Sequence, residues 1–275
     1  MKTIVITGAS DGIGKVAARK LSALGHKVII VGRSKEKTVK VAEELGAPYH
    51  LADFTRLSDV CRLASELKKY DRIDVLCNNA GGVQAERTDT VDGIEKTFQI
   101  NVLGGFLLTK LLMDKLCECG ATVVQTSSIA SNLFGADFDG KDFLNENDYS
   151  ATSAYGYAKL ENILFTRELD RRYGDKGIKA VAFEPGVVRT NFASESYGFI
   201  KLIYHTPIKY LFTISPERSA ERLVRLAAGE AGKDFVPGEV YGKTRPMRVK
   251  FKDPEGKVAK ELWEICERLT EKYFR

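Results

Sequence analysis

A tyrosine and a lysine four residues apart, Tyr155 and Lys159, could carry out proton-transfer chemistry. At that spacing both side chains lie on one face of a predicted helix, so the ammonium group can sit near the phenol. A nearby positive charge stabilises phenolate and lowers a tyrosine pKa that is normally about 10. A tyrosine tuned in this way can give a proton to a carbonyl oxygen, or take one from an alcohol, near neutral pH.

The Tyr-x-x-x-Lys spacing occurs twice in this chain, so context has to separate the two pairs. With 11 tyrosines in 275 residues, chance alone supplies about one such pair. Tyr155 opens a long predicted helix and follows a predicted strand that ends in Ser127-Ser128. Tyr197 and Lys201 lie in an irregular aromatic stretch, and we interpret them as a coincidence or as residues that line the site.

A glycine-rich run, Thr7 to Gly14 (TGASDGIG), lies between the first predicted strand and the first predicted helix. Gly8, Gly12 and Gly14 allow a tight turn and the close approach of a pyrophosphate to the backbone. The helix that starts there presents free N–H groups and the positive end of its dipole to phosphates. Glycine loops are common, but this position at the start of a βαβ unit favours a dinucleotide site over a plain turn.

The end of the second predicted strand indicates which cofactor is bound. A carboxylate there would bind the ribose hydroxyls of NAD, but the chain reads Val31-Gly32-Arg33-Ser34. Arg33 is placed to meet a 2′-phosphate, and its guanidinium can also stack on adenine. Lys37 and Ser10 are further candidates for the same phosphate. The sequence therefore predicts NADP(H), with a solvated surface arginine as the alternative interpretation of Arg33.

These residues must be positioned by an alternation of apolar runs and helical patterns. Strands that are apolar almost throughout, alternating with helices, predict a parallel sheet covered on both faces. The predicted fold class is α/β, a doubly wound parallel sheet (Rossmann fold) with three α/β/α layers. No internal boundary is visible, so residues 1–275 are predicted to form a single NAD(P)-binding domain. The predicted strands are 3–7, 27–31, 49–52, 73–77, 121–126 and 178–183, and the predicted helices are 13–24, 34–45, 155–173, one that starts at 215–216 and one that closes the chain.

Two stretches depart from this alternation. Asn132 to Ala154 is a long polar insertion with five carboxylates, and Thr190 to Ile214 is aromatic and irregular. Long connections after the strands of an open α/β sheet border the ligand crevice. We therefore predict a substrate lid around 190–214. Its aromatic and aliphatic residues favour a lipophilic substrate, and packing on the core or on another subunit is the alternative.

The composition is that of an ordinary globular protein. Apolar residues make up 44% and charged residues 29%, and the formal charge of +5 is too small a bias to predict a nucleic-acid partner. The five irregularly spaced cysteines predict neither a disulfide framework nor a zinc site, so no metal is expected. No signal peptide or membrane-spanning segment is visible, which predicts a cytoplasmic protein with no integral membrane segment.

Several of these residues occur together, and in the same order, as the motifs of a known family. The glycine run is followed by Asn78-Asn79-Ala80-Gly81, Asn101, Ser127-Ser128, the Tyr155–Lys159 pair and Pro185-Gly186. In this order they resemble the short-chain dehydrogenases/reductases over nearly the whole chain. Residues 155–172 (YGYAKLENILFTRELDRR), the FEPGVVRT run and the long insertion before Tyr155 are most similar to the retinol-dehydrogenase-like branch.

The resemblance implies roles for the catalytic candidates. Tyr155 would be the general acid/base, and Lys159 would lower its pKa and bind the nicotinamide ribose. Ser128 would hydrogen-bond the substrate oxygen and stabilise developing charge. We choose Ser128 over Ser127 because the second serine usually has this role in the family. Asn101 would hold a water that relays protons to Lys159.

The resemblance also extends the predicted cofactor site. Asn79, Ala80 and Gly81 would pack along the cofactor. Asp53 would contact the adenine edge or, as the alternative, cap a helix. Val188 and Thr190 would hold the nicotinamide carboxamide. The complete predicted set is Gly8, Ser10, Gly12, Ile13, Gly14, Arg33, Lys37, Asp53, Asn79, Ala80, Gly81, Tyr155, Lys159, Pro185, Gly186, Val188 and Thr190.

The predicted function is the NADP(H)-dependent interconversion of a small-molecule alcohol and a carbonyl compound, in which the cofactor supplies the hydride chemistry. The alternatives are a nucleotide-sensing regulatory protein on the same fold and a sugar-nucleotide epimerase or dehydratase. The glycine spacing and the short chain after Phe183 disfavour the epimerase, and the presence of Tyr155, Lys159 and Ser128 disfavours the sensor. Homodimers and homotetramers are common in the family and monomers also occur, so the oligomeric state stays open.

Overall fold

The computed structural model describes residues 1–147, 149–186 and 214–274. Within them, seven parallel strands form one sheet in the order β3-β2-β1-β4-β5-β6-β7. The six predicted strands are confirmed, with ends that shift by at most two residues, whereas the sequence pattern gave no sign of the two-residue strand β7. The strands are β1 (Thr3–Thr7), β2 (Lys27–Gly32), β3 (Tyr49–Leu51), β4 (Val75–Asn78), β5 (Thr122–Thr126), β6 (Lys179–Phe183) and β7 (Val240–Tyr241).

Helices connect most of these strands and cover both faces of the sheet. A π-helical turn at Gln99–Leu103 joins the fourth helix to the fifth. The described helices are α1 (Gly12–Ala23), α2 (Lys35–Leu45), α3 (Leu57–Leu67), α4 (Lys96–Phe98), α5 (Gly104–Leu111), α6 (Met113–Glu118), α7 (Ala130–Leu133), α8 (Ala151–Tyr173), α9 (Pro216–Ala228) and α10 (Lys257–Thr270).

Alternate residues of each strand enter two different hydrophobic layers, because successive side chains of a strand point to opposite faces. In β1, Ile4 and Ile6 pack with α1, α2 and α9. Val5 packs instead with α3, α5, α8 and α10. Both layers exclude water from the strand interiors, so the apolar runs are nearly continuous. The predicted doubly wound, three-layer α/β/α architecture is confirmed.

The strand order reverses between β1 and β4. The chain winds outward from β1 to β2 and β3, then returns to the other side of β1 and continues outward through β7. Connections that leave β1 and β4 therefore diverge to opposite faces, and a crevice opens at the carboxyl ends of these strands. Gly8 follows β1 and Asn79 follows β4, so the two main motifs of the predicted cofactor site meet at this point.

Short polar signals mark the helix starts as predicted for α2 and α9. The Ser34 hydroxyl accepts a hydrogen bond from the Lys37 amide at 3.4 Å, and Ser215 caps α9 in the same way, with Pro216 in the first turn. A serine cap satisfies one of the amide groups that have no partner inside the helix. Local sequence chemistry is therefore sufficient to place these two starts.

The region before Tyr155 differs from the predicted polar loop. Helix α8 begins at Ala151, a turn before Tyr155. The insertion begins inside α7, and it buries Phe138 and Phe143. A loop can carry many carboxylates on its outer side while its aromatic residues pack inward, so its average polarity is a poor guide to its structure. The insertion is a packed cover beside α8, and Tyr155 lies in the second turn of that helix.

Candidate active site

The Tyr155–Lys159 pair lies on α8 beside the carboxyl end of β5. Lys159 Nζ is 5.4 Å from the centroid of the Tyr155 ring, on one face of the helix as the spacing predicts. Lys159 is only 2% exposed, and its ammonium donates a hydrogen bond to the Thr126 carbonyl at 3.2 Å. The Asn162 side chain donates to the same carbonyl. The end of β5 therefore fixes the lysine one turn away from the phenol.

Burial without a carboxylate partner changes the acid–base behaviour of Lys159. Removal from water penalises the ammonium form and lowers the pKa of Lys159 to about 7. A lysine with this pKa exchanges its proton near neutral pH. Because desolvation by the surrounding protein is the cause, an added negative charge or a hydroxyl group nearby would raise the pKa again.

The two serines at the end of β5 have different environments. The Ser127 hydroxyl donates to the Lys159 carbonyl at 2.7 Å, which joins the strand to α8. The Ser128 hydroxyl accepts from the Ala130 amide at 3.2 Å, and no hydrogen bond among the described residues uses its proton. A hydroxyl carries one donor in addition to its acceptor sites. Ser128 therefore keeps a donor available for a ligand oxygen, whereas Ser127 has a structural contact.

Asn101 lies in the π-helical turn and faces the same site. Its Nδ2 donates to the carbonyls of Gly82 and Thr97, each at 2.8 Å, and its Oδ1 accepts from the Gly82 amide at 3.2 Å. A β-carbon on Gly81 would lie 2.5 Å from Asn101 Oδ1 and 3.2 Å from Lys159 Nζ. Both amide protons are therefore in use, and a water held by this side chain would have to donate to Oδ1.

The glycine loop packs directly against the chain that follows β4. Gly8 has φ +65°, and a β-carbon there would lie 3.0 Å from the Ala80 α-carbon. The Asn79 Nδ2 donates to the Thr7 carbonyl at 2.9 Å. The Thr7 hydroxyl accepts from the amides of Asn79 and Ala80, each at 2.9 Å. This hydroxyl, which motif reasoning left without a role, holds the two predicted cofactor segments together.

Replacing Gly14 by alanine should damage both folding and cofactor binding. The added carbon would lie 2.4 Å from the Gly8 carbonyl oxygen, which is backbone and cannot swing away. Overpacking of this kind costs about 1–3 kcal/mol, and opening the loop would displace the amides that are predicted to face a phosphate. We expect lower stability in urea unfolding and at least tenfold weaker NADPH binding by fluorescence titration (about 1.4 kcal/mol). Gly242→Ala is the matched control, because nothing lies within 4 Å of its added carbon; equal losses in the two variants would contradict the packing argument.

The three candidates for a 2′-phosphate lie on chain segments that adjoin the end of β2. A β-carbon on Gly32 would lie 2.8 Å from the Ser10 β-carbon, so Ser10 covers the residue before Arg33. Arg33 is exposed and has no hydrogen bond or ion pair with the rest of the described chain. Lys37 is also exposed, and its ammonium pairs with Asp11 at 2.8 Å. The donor chemistry at this point suits a phosphate, since an exposed ion pair of this kind contributes little and can exchange partners.

The helix-cap interpretation of Asp53 is wrong. Helix α3 begins only at Leu57, and Arg56 precedes it without a side-chain cap. The Asp53 carboxylate instead accepts hydrogen bonds from the Thr55 amide at 3.0 Å and its hydroxyl at 2.9 Å. Aspartate commonly closes a turn on the residue two positions ahead, and that turn separates Asp53 from the helix. Contact with an adenine edge stays a prediction.

An ion pair that the sequence did not reveal fixes the chain at Pro185-Gly186. Glu184 accepts a hydrogen bond from the Gly186 amide and pairs with Arg222 of α9 at 2.7 Å. Arg222 also donates to the Glu184 carbonyl at 2.5 Å. Glu184 and Arg222 are 38 positions apart, so no short sequence motif could have predicted their contact. The predicted Val188 and Thr190 lie outside the described residues, as do Tyr197, Lys201 and the predicted lid except Ile214.

The described residues contain no group of three or more His, Cys, Asp or Glu side chains arranged to hold a metal ion. In the same part of the chain, every helix is too short or too polar to cross a membrane. The remaining predicted cofactor residues Gly12 and Ile13 lie in the first turn of α1, where Asp11 caps the helix through the Gly12 amide at 2.8 Å.

Comparison with known proteins identifies near full-length relatives. A family model described as short chain dehydrogenase matches residues 2–139. The chain is 36% identical over 272 residues to "Putative daunorubicin C-13 ketoreductase DnrU" of Streptomyces sp. (strain C5), covering 96% of this chain and 90% of that protein. It is 32% identical over 289 residues to human retinol dehydrogenase 13, covering 98% and 84%. A crystal structure of an uncharacterized protein from Mycobacterium paratuberculosis superposes with a TM-score of 0.76 at 30% identity, covering 98% and 94%.

Proposed function

Because this chain belongs to the short-chain dehydrogenase family, on its retinol-dehydrogenase-like side, we propose that it is an NADP(H)-dependent oxidoreductase that interconverts an alcohol and a carbonyl compound. The observation that carries the proposal is the buried Lys159 ammonium held one turn from Tyr155, beside the serines at the end of β5. The residues suit a dinucleotide, since the glycine loop, the segment after β4 and the end of β2 border one crevice.

Each catalytic side chain has a separate task in this proposal. When bound, the nicotinamide cofactor supplies hydride chemistry. The Tyr155 phenol donates a proton to the carbonyl oxygen as negative charge develops there, or accepts it in the reverse direction. The unused donor of Ser128 hydrogen-bonds that oxygen and stabilises the same charge. The Lys159 ammonium stabilises the phenolate that remains.

Proton supply to Lys159 is the proposed task of Asn101. Its Oδ1 lies beside Gly81, on the side where the lysine ammonium also lies. A water that donates to Oδ1 at this position would be able to exchange a proton with Lys159. Because the pKa of Lys159 is lowered to about 7 by burial, proton exchange with such a water is easy near neutral pH.

The preference for NADP(H) rests on the end of β2. Arg33 stands at the end of β2, where an NAD-specific site would carry an acidic residue. Ser10 lies against the neighbouring Gly32, and Lys37 lies in the first turn of α2. The Arg33 guanidinium is planar and always charged, and its paired N–H donors match the geometry of a phosphate better than a lysine ammonium does. The exposed guanidinium has no partner to give up within the described residues, so binding a 2′-phosphate costs it no existing ion pair.

Arg33→Asp should reverse the cofactor preference. The aspartate removes the phosphate-binding charge, repels the 2′-phosphate and offers an acceptor to a 2′-hydroxyl. We expect NADPH binding to weaken by at least a hundredfold (about 2.7 kcal/mol) while NADH binding changes by less than tenfold. Fluorescence titration with both cofactors measures this. Lys40→Asp, which makes the same charge change at an exposed residue of α2, is the control; equal weakening of NADPH and NADH by Arg33→Asp would remove the 2′-phosphate role.

Turnover distinguishes the enzyme from the NADPH sensor. The purified protein should oxidise NADPH in the presence of lipophilic aldehydes or ketones, and a sensor would bind NADPH without oxidising it. Retinol and daunorubicin, which appear in the names of the relatives, are a lipophilic alcohol and a polycyclic ketone, so we propose compounds of these classes as the first panel. We also propose that residues 1–275 form one domain with a substrate lid around 190–214, a segment outside the described residues except for Ile214.

A further inference from the structure

The chain that leaves α7 lies directly on α8, at the residue that follows Tyr155. A β-carbon on Gly156 would lie 2.6 Å from the Phe134 β-carbon and 2.9 Å from the Gly135 amide nitrogen. In the other direction, a β-carbon on Gly135 would lie 2.7 Å from the Gly156 carbonyl oxygen. Contacts this short are repulsive, so the two segments come this close only because both residues lack a side chain.

Space, and not backbone conformation, requires glycine at these two positions. Neither Gly135 nor Gly156 has a left-handed φ, so alanine could adopt either backbone conformation. Gly156 lies inside α8, where glycine destabilises a helix relative to alanine. A glycine at this position therefore weakens α8, and it permits the close approach of the chain that leaves α7.

The same chain segment is attached at its other end to Ser128. The Ser128 hydroxyl accepts a hydrogen bond from the Ala130 amide at 3.2 Å, and the Ser128 carbonyl accepts one from the Ser131 hydroxyl at 2.7 Å. One short, hydrogen-bonded stretch thus joins Ser128 to the contact between Gly135 and Gly156. Helix α7 therefore spans the distance between this serine and the helix that carries the proposed acid/base tyrosine.

Helix α7 and the insertion are also fastened away from the glycine contact. The Asn132 Nδ2 donates to the Arg248 carbonyl and its Oδ1 accepts from the Lys250 amide, each at 2.8 Å. Further along the insertion, the Phe138 ring packs on that of Tyr157 with centroids 4.9 Å apart. An added carbon at the glycine contact would have to move α7 or α8 against these contacts, and either movement changes the separation of the proposed catalytic serine and tyrosine.

We propose that Gly135 and Gly156 are positioning residues that set the separation of the Ser128 and Tyr155 hydroxyl groups. This inference rests on the proposed function, in which both hydroxyls reach the same substrate oxygen. Proton transfer to that oxygen needs a heavy-atom distance of about 2.6–3.2 Å, so a shift of one hydroxyl relative to the other weakens one of the two contacts. A misplacement of about 1 Å costs about a hundredfold in rate.

Gly156→Ala should lower kcat and leave cofactor binding nearly unchanged. We expect kcat with a carbonyl substrate to fall by at least about tenfold. The Kd for NADPH should change by less than about threefold, because the glycine loop and the end of β2 lie on other elements. Gly135→Ala, which meets the same contact from the other side, should have the same effect. Gly242→Ala adds the same carbon where nothing lies within 4 Å, so it is the control and should keep wild-type kinetics.

A double-substitution cycle with Ser128→Ala separates positioning from a general loss of packing. In the wild-type background, Ser128→Ala removes a donor to the developing charge and should lower kcat by about a hundredfold. In the Gly156→Ala background the hydroxyl is already displaced, so the same substitution should lower kcat by less than about tenfold. Independent sites give additive effects, so equal factors in the two backgrounds would overturn the proposal, and so would a Gly156→Ala variant with wild-type kcat.

Asn132→Ala disturbs the same arrangement without adding volume, so it replaces Gly156→Ala in the cycle if that variant does not fold. Loss of the two outer hydrogen bonds frees α7 to move away from α8. We expect kcat to fall by at least about threefold, again with a smaller effect of Ser128→Ala. A wild type that oxidises NADPH while these variants show additive effects would contradict this inference alone. A wild type that turns over no carbonyl compound would remove the proposed function, and the positioning role with it.

Discussion

Tyr155→Phe should abolish most turnover and leave cofactor binding nearly unchanged. The substitution removes one hydroxyl and keeps the ring beside the Lys159 ammonium. Without the hydroxyl, no proton can be given to the carbonyl oxygen as negative charge develops there, and general acid catalysis contributes about 10²–10⁴-fold. We expect kcat to fall by that factor while the Kd for NADPH changes by less than about threefold. Steady-state kinetics and fluorescence titration of the same preparation measure both.

Two other tyrosines provide matched controls. Tyr157 lies on the same helix, and its ring packs 4.9 Å from that of Phe138, so Tyr157→Phe should keep its activity. Tyr197→Phe tests the second Tyr-x-x-x-Lys pair and should also keep most of its activity. A Tyr155→Phe variant with near wild-type turnover would contradict the acid/base assignment, and a large loss in Tyr197→Phe alone would move that assignment to the second pair.

The parts of the molecule that the sequence predicted well are those with a local physical cause. β1, the glycine loop and α1 follow from an apolar run, three glycines and a helical pattern within about two dozen residues. The Tyr155–Lys159 geometry follows from helix periodicity alone. In each case the contacts that stabilise the element come from neighbouring residues or from burial of a regular face.

The features that the sequence did not predict depend on contacts between distant residues. β7 is two residues long and exists because it pairs with the edge of β6. Glu184 forms an ion pair with Arg222, which lies on α9, beyond the long segment that follows β6 in the sequence. The end of β5 binds Lys159 through a carbonyl, a group that every residue carries and that no motif can mark. Such contacts become visible only when the fold brings the partners together.

The contact between Lys159 and the end of β5 also has an energetic cost. Among the described residues, the buried ammonium donates a hydrogen bond to the Thr126 carbonyl and forms no ion pair. An unpaired buried charge destabilises the folded state, and a lowered pKa is the measure of that effect. The candidate site therefore holds a group that favours the proposed catalysis and opposes folding.

Lys159→Met should separate these two effects. Methionine keeps most of the side-chain volume and removes the charge. We therefore expect turnover to fall by at least a hundredfold, and we expect the variant to be more stable than the wild type below about pH 7. In the wild type, the unfolded chain keeps the proton up to its usual pKa of about 10.5, whereas the folded chain loses it at about 7. Between these values the unfolded state binds one proton more than the folded state, so this group makes the free energy of unfolding increase by about 1.4 kcal/mol for each pH unit.

The measurement is urea unfolding of the wild type and the variant, without cofactor, at several pH values from about 6 to about 10. The methionine variant should exceed the wild type in unfolding free energy by the largest amount near pH 6. This difference should become smaller as the pH rises towards 10. Other titrating groups cancel in this difference because both proteins contain them. Lys179→Met is the control, since the Lys179 ammonium is partly buried but donates to the carbonyls of Gly120 and Gly177. A Lys159→Met variant whose stability difference does not vary with pH would show that the lysine keeps an ordinary pKa, and a variant that also kept its activity would remove the lysine from the catalytic proposal.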